Sequence, residues 1–183
     1  MENLWRIMQG HPVSRPLAMI GEIRYNEENT YGKQEEEFMI AIASDHGAYA
    51  LKEAVKQHLE ARGLAYKDFG TDGEASCDYP DFVAPAAKAV ASGECDRGIV
   101  LCTTGIGASI TANKVKGIRC ALLSDKMSAR LTRQHNDTNM MALGAGVVGP
   151  MLAMEIVDTW LDTAFEGGRH QRRIDKVMAL EQE

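Results

Sequence analysis

The 183 residues are 45% apolar and 25% charged with a formal net charge of −6, which suits one globular domain around a single buried core and argues against a second full domain. Lys and Arg are nowhere gathered into the surface that nucleic-acid binding needs, and the apolar stretches fall well short of a bilayer span, so nucleic acid and membrane are excluded as partners. No signal-like apolar segment opens the chain, and the four cysteines, Cys77, Cys95, Cys102 and Cys120, have no CxxC or CxxxC spacing. Free thiols in a cytoplasmic protein are expected, with neither a zinc knuckle nor a disulfide scaffold.

Residues 1–38 lack periodicity and end in Lys33-Gln34-Glu35-Glu36-Glu37, so they read as a poorly ordered N-terminal extension, with the domain proper over 39–183. Seven acids against four bases in the extension, and nineteen against sixteen in the remainder, leave −3 on each part, so neither is a charged tail. From Met39 onward short apolar runs alternate with helical patterns, the signature of βαβ units and an α/β fold with a mainly parallel sheet. Strands are expected at 39–43, 65–69, 97–102, 118–123 and 140–143. The first crossover helix, 48–62, carries Leu51, Val55 and Leu59 in helical step and stops at Gly63. Further helices are expected at 81–92, 106–115, 125–134 and 150–164. The last presents Met154, Val157, Trp160, Leu161 and Phe165, a face suited to covering the sheet or to meeting another subunit.

Ligands of an open parallel sheet collect beyond the carboxyl ends of its strands. The first apolar run is followed by Ser44-Asp45-His46-Gly47, and the third closes with Cys102-Thr103-Thr104-Gly105-Ile106-Gly107-Ala108-Ser109. The fourth helix runs into Arg133-Gln134-His135-Asn136-Asp137. A strand that turns through small residues into a helix offers free backbone N–H groups and a positive helix end to an anion. A thiol there is a credible base or nucleophile, against the plainer reading of a small buried strand-end cysteine. A dinucleotide fingerprint with Asp125 as its acid fits less well, because Ile110 stands at the third glycine position and the turn follows the third strand. A cysteine phosphatase loop fails, because Ala108 stands where its Arg is needed.

His46 and His135 can exchange protons near neutral pH or contact a phosphate, and either can equally be structural. Asp45 can serve chemistry or cap the first helix. Arg169 and Arg173, four apart on one helical face, suit the grip of a dianion, or else form a solvated basic face.

Taken together, Ser44-Asp45-His46-Gly47, Asp78-Tyr79-Pro80, the Cys102 loop with Ala112-Asn113-Lys114, residues Arg133 to Asn139, and Glu166-Gly167-Gly168-Arg169-His170 resemble the ribose-5-phosphate isomerase B family. That family also holds the galactose-6-phosphate isomerase subunits. The match runs in order from about Met39 to the C-terminus. The resemblance implies a doubly wound, Rossmann-like three-layer sandwich with a five-stranded sheet. It implies a metal-free, cofactor-free isomerase that opens a furanose phosphate and moves a proton between adjacent carbons through an enediolate, ribose 5-phosphate to ribulose 5-phosphate first among candidates. By the same resemblance Cys102 is the base, Thr104 moves protons between the oxygens, and His135, with Asp45 nearby, assists ring opening. Backbone from Thr103 through Gly105, Ile106 and Gly107, with Asn136, stabilises the enediolate; His46, Arg169 and Arg173 hold the phosphate; Tyr79 lines the pocket. A homodimer or homotetramer with active sites between subunits follows from it too. Two positions depart from the family pattern: Thr103 stands where Gly usually follows the Cys, and Gly146 stands where many members carry a phosphate-contacting Arg. A sugar phosphate of four to six carbons other than ribose 5-phosphate, and a non-catalytic sugar-phosphate or nucleotide sensor on the same fold, are the alternatives.

Overall fold

The computed structural model describes residues 38–182. The expected N-terminal extension lies outside the described residues except for Phe38, which packs on the core and lies over the guanidinium of buried Arg97, 5.6 Å from the ring centroid. Five strands form one sheet: β1 (Met39–Ser44), β2 (Ala65–Asp68), β3 (Arg97–Cys102), β4 (Cys120–Leu122) and β5 (Met140–Gly144). Their order is β2-β1-β3-β5-β4, and every ladder is parallel. The helices are α1 (Tyr49–Ala61), α2 (Tyr79–Ala91), α3 (Ile106–Ala112), α4 (Lys126–Asn136), α5 (Pro150–Asp162) and α6 (Arg169–Ala179).

Side chains alternate across the central strands, which builds two cores. Ile40, Ile42, Ile99, Leu101, Met141 and Leu143 meet α1, α4 and α5 on one face. Ala41, Ala43, Val100, Cys102 and Ala142 meet α2 and α3 on the other. The second face is lined with small residues because the helices above it present Ala86, Ala87, Ala108 and Ala112, so helix and sheet approach closely. Val157, Trp160 and Leu161 of α5 are fully buried against the first face, so this helix covers the sheet.

Most boundaries shift by one or two residues from the periodicity, β1 and β5 ending one residue later, β2 one earlier and α4 two later at Asn136, and three of the shifts have a clear local reason. Helix α2 starts at Tyr79, with Pro80 in its first turn, where a missing N–H costs nothing. Helix α3 stops at Ala112 because the Asn113 side chain bonds the Ser109 carbonyl (3.0 Å) and both the N–H and carbonyl of Cys120 (2.8 Å each), turning the chain into β4. Strand β4 is short because the Asn139 side chain takes the Arg119 N–H (2.8 Å) and donates to the Gly117 carbonyl (2.8 Å), where a longer strand would have laddered.

The chain leaves β1 toward β2 and leaves β3 toward β4 and β5, in opposite directions. The crevice between the carboxyl ends of β1 and β3 is therefore the topological switch point, where this class of fold binds its ligands. Asp45 follows β1 there and Cys102 ends β3.

Candidate active site

A cavity of about 460 Å³ opens at that switch point, lined by Asp45, Tyr79, Cys102, Thr103, Thr104 and the first turns of α3. Cys102 is 5% exposed, and its Sγ accepts the Gly105 N–H at 3.1 Å. That contact needs the left-handed turn at Gly105 (φ 76°), where an added Cβ would lie 2.8 Å from the Leu143 carbonyl carbon. Ile106 N–H donates to Thr104 Oγ1 at 3.3 Å, and the opening N–H groups of α3 have no intrahelical partner. The loop thus sets backbone dipoles around a sulfur, an arrangement that stabilises negative charge developing beside it. The Tyr79 ring closes one wall by resting on Gly107, where a Cβ would be 2.6 Å from Cζ.

Asp45 is 7% exposed and its Oδ1 has no hydrogen-bond partner among the described residues. It occupies the N-cap position of the short 3-10 turn His46–Ala48, yet its side chain makes no cap bond. The capping role open to it in the sequence is therefore not taken up. His46, half-buried next to it, is held by the Cys77 backbone, whose N–H and carbonyl both lie 3.2 Å from Nδ1. Nδ1 can accept from the N–H in one tautomer or donate to the carbonyl in the other, so the Cys77 backbone anchors the ring either way. Thr103 is exposed, with its Oγ1 over Gly47, where a Cβ would be 2.3 Å away, and its carbonyl accepts the Gly146 N–H at 2.8 Å. The two departures from the family pattern are thus in direct contact. Asp125 caps α4 by accepting the Ser128 N–H at 2.8 Å, which accounts for that acid without a dinucleotide.

His135 and Asn136 stand elsewhere. In a parallel sheet each connecting helix runs back against the strands, so α4 starts beside the carboxyl ends and finishes at the amino end, just before β5 begins at Met140. His135 therefore lies at the opposite end of the sheet from Cys102 and Asp45 of the same chain. Its helix end is pinned by buried Arg133, whose Nη1 donates to Asp137 Oδ1 (2.8 Å) and to the Thr138 carbonyl (2.6 Å). A second cavity, about 550 Å³, opens there between α4, α6 and the β4 edge, lined by His135, Asn136, His170, Arg173 and Arg119. Arg169 flanks it, its Nε donating to His170 Nε2 at 3.4 Å, whereas Arg172 does not line it.

The His135 and His170 rings stack in this cavity, centroids 4.3 Å apart and planes within 4°. Glu166 Oε2 lies 3.6 Å from His170 Nε2 and 4.0 Å from His135 Nε2. Burial, then the neighbouring His135 and Arg169, push the His170 imidazole below its usual value, while Glu166 pulls it the other way. These three side chains offer ligand atoms within 4.8 Å of one another. They do not suit a metal as they stand, because the Nε2 lone pairs of stacked rings lie in two separate parallel planes and one ion cannot lie in both.

The model of the Ribose/Galactose Isomerase family matches residues 40–177, which takes in both cavities. The chain belongs to this family. It is 49% identical over 143 residues to ribose-5-phosphate isomerase B of Escherichia coli, covering 78% of this chain and 96% of that one. Among solved structures it is similar to ribose-5-phosphate isomerase B of Clostridium thermocellum, at 54% identity and a TM-score of 0.78, over 79% of this chain and 97% of that one. The same enzyme of Mycoplasma genitalium, solved with bound ribulose-5-phosphate, is 42% identical with a TM-score of 0.77, over 80% of this chain and 97% of that one. The α/β architecture expected from the sequence is that of these family structures, with the sheet wholly parallel. No helix among the described residues is long and apolar enough to cross a membrane.

The first cavity gathers Asp45, Tyr79, Cys102, Thr103, Thr104, Ile106 and Gly107, with Gly105 buried behind them and His46 beside Asp45. The second gathers His135, Asn136 and Arg173, with Arg169 at its edge. Sequence reasoning gave no role to His170 or Glu166. Their four-residue spacing across the Gly167-Gly168 turn was visible, but the stack on His135, thirty-five positions away, is tertiary.

Proposed function

We propose that the chain interconverts ribose 5-phosphate and ribulose 5-phosphate, at a site that the Cys102 cavity of one subunit and the His135 cavity of another form together. The observation that carries this reading is the separation of the two groups. One chain puts a thiol, an unpaired carboxylate and free backbone donors at one end of its sheet, and imidazoles and arginines at the other. A homodimer that apposes unlike ends completes two equivalent sites. The exposed apolar side chains Ile106, Ile110, Leu122, Met127 and Met151, near the carboxyl ends of the strands, suit such a contact.

In this reading His46, with Arg169 and Arg173, binds the phosphate. His135 gives a proton to the ring oxygen as the C1–O4 bond breaks, and Asp45 takes the O1 proton, leaving the open aldehyde. The Cys102 thiolate then removes the C2 proton; the C–H electron pair becomes the C1–C2 double bond of the enediolate, and the proton returns at C1. Thr104 carries the hydroxyl proton between O1 and O2, while the backbone of Thr103 to Gly107 and Asn136 steady the oxygens. The four unpaired thiols fit a reducing, cytoplasmic setting.

Thr103, projecting at the cavity mouth against Gly146, favours one further reading, in which the preferred sugar phosphate is of another length. Proton exchange into solvent, followed with the purified chain on ribose, erythrose and allose phosphates, tests both. Exchange on ribose 5-phosphate that Cys102→Ala abolishes is expected; exchange on none of the sugars, or full exchange in that variant, overturns the isomerase.

A further inference from the structure

We propose that His170 is a positioning residue for His135, holding its imidazole in the plane from which it exchanges a proton with the ring oxygen of the sugar. The inference deepens the reading above and rests on it for the role of His135. His135 is half-exposed on the last turn of α4, and a side chain there has rotamer freedom that proton transfer cannot tolerate. No hydrogen bond to its ring is formed among the described residues. What fixes it is the parallel ring of His170, face to face at 4.3 Å.

His170 is itself fixed by burial and two hydrogen bonds. It is 5% exposed, its N–H caps the turn by donating to the Gly167 carbonyl at 3.0 Å, and its Nε2 accepts from Arg169. The Arg169 contact at Nε2 holds the edge of the His170 ring, so His170 meets His135 as a fixed plane. The Glu166 N–H donates to the Gln134 carbonyl at 3.1 Å, which ties the α6 entry to the last turn of α4 and keeps the two rings in register. Glu166, Arg169 and Arg173 are the charged groups around the pair, with Arg119 on the far cavity wall.

The chemistry of the two sugars supplies a test that separates positioning from general damage. Ribose 5-phosphate closes to a furanose through O4, whereas ribulose 5-phosphate, its O5 esterified, has no hydroxyl placed to close a five-membered ring and stays open. Exchange of its C1 proton with deuterium oxide therefore needs the enediolate step but no ring chemistry. His170→Ala is expected to lower kcat on ribose 5-phosphate by ten- to a hundredfold, while leaving the C1 exchange at saturating ribulose 5-phosphate within about twofold of wild type. His170→Phe, which keeps a flat ring but no nitrogen, is expected to recover most of the lost kcat. Equal losses in turnover and exchange, or a Phe variant no better than the Ala variant, would overturn the proposal. His135→Ala in the same two assays tests the underlying reading separately: if it impairs both equally, His135 has no special part in ring opening, whatever His170 does.

Discussion

Asp45→Ala distinguishes two roles by the sign of its effect on stability. Had Asp45 capped the first helical turn, its loss would cost about 0.5–2 kcal/mol. The carboxylate is buried, its Oδ1 is unpartnered and no cap bond forms, so native Asp45 carries a desolvation penalty instead. Penalties of this kind run to about 1–3 kcal/mol for one unsatisfied group. Alanine removes the penalty and little apolar contact, so a gain of about 1 kcal/mol is expected, seen as a rise in Tm of about 2–4 °C for a chain of this size. Turnover should fall by about two to four orders of magnitude, the usual share of one acid–base group. Urea unfolding at fixed protein concentration, with an unchanged m value, reads the first quantity, and isomerisation of ribose 5-phosphate reads the second. A variant destabilised by 1 kcal/mol or more that keeps its turnover would refute the reasoning and return Asp45 to a structural role.

Arg169→Ala and Arg173→Ala should each raise KM about ten- to a hundredfold, since a charge-assisted bond to phosphate is worth about 1.5–3 kcal/mol, while Arg172→Ala, outside the cavity, should do far less. Similar small effects across the three in steady-state kinetics would make α6 a solvated basic face. Iodoacetamide should inactivate the protein through Cys102, with ribose 5-phosphate protecting, as mass spectrometry of the modified peptide will show. Burial opposes ionisation of Asp68, but bonds from Lys52 and Lys56 and from the Gly70 N–H outweigh it and hold the carboxyl below its usual range. A depressed carboxyl stabilises the fold above its unfolded pKa and loses that contribution as pH falls through the folded one. Asp68→Asn should therefore be less stable than wild type near pH 7, with the gap closing as pH falls from the ordinary carboxylate range through the lowered folded value, as paired denaturation curves will reveal.

The strands were legible because they are buried on both faces, so β1, β3 and β5 read as unbroken apolar runs and needed no knowledge of their neighbours. Gly63 ended α1 as its position suggested, at φ 67°. Side chains that replace backbone bonds were not legible: Asn113 and Asn139 shorten α3 and β4 through partners that only the folded chain brings close. At the site, the Cys102 loop was readable because its Gly105 turn is local. Asp45 was open between cap and catalyst, since only tertiary burial reveals that its oxygen bonds nothing. The distance between His135 and Asp45 in one chain followed from the direction of α4, a consequence of the parallel topology that residue types alone do not state.

That distance makes the shared site testable by mixing two inactive chains. Cys102→Ala and His135→Ala, unfolded and refolded together in equal amounts, pair at random, so half the dimers are mixed and one of the two sites in each is intact. About a quarter of wild-type turnover on ribose 5-phosphate should return. Activity that stays at the average of the two separate variants would contradict a site built from the Cys102 end of one subunit and the His135 end of another.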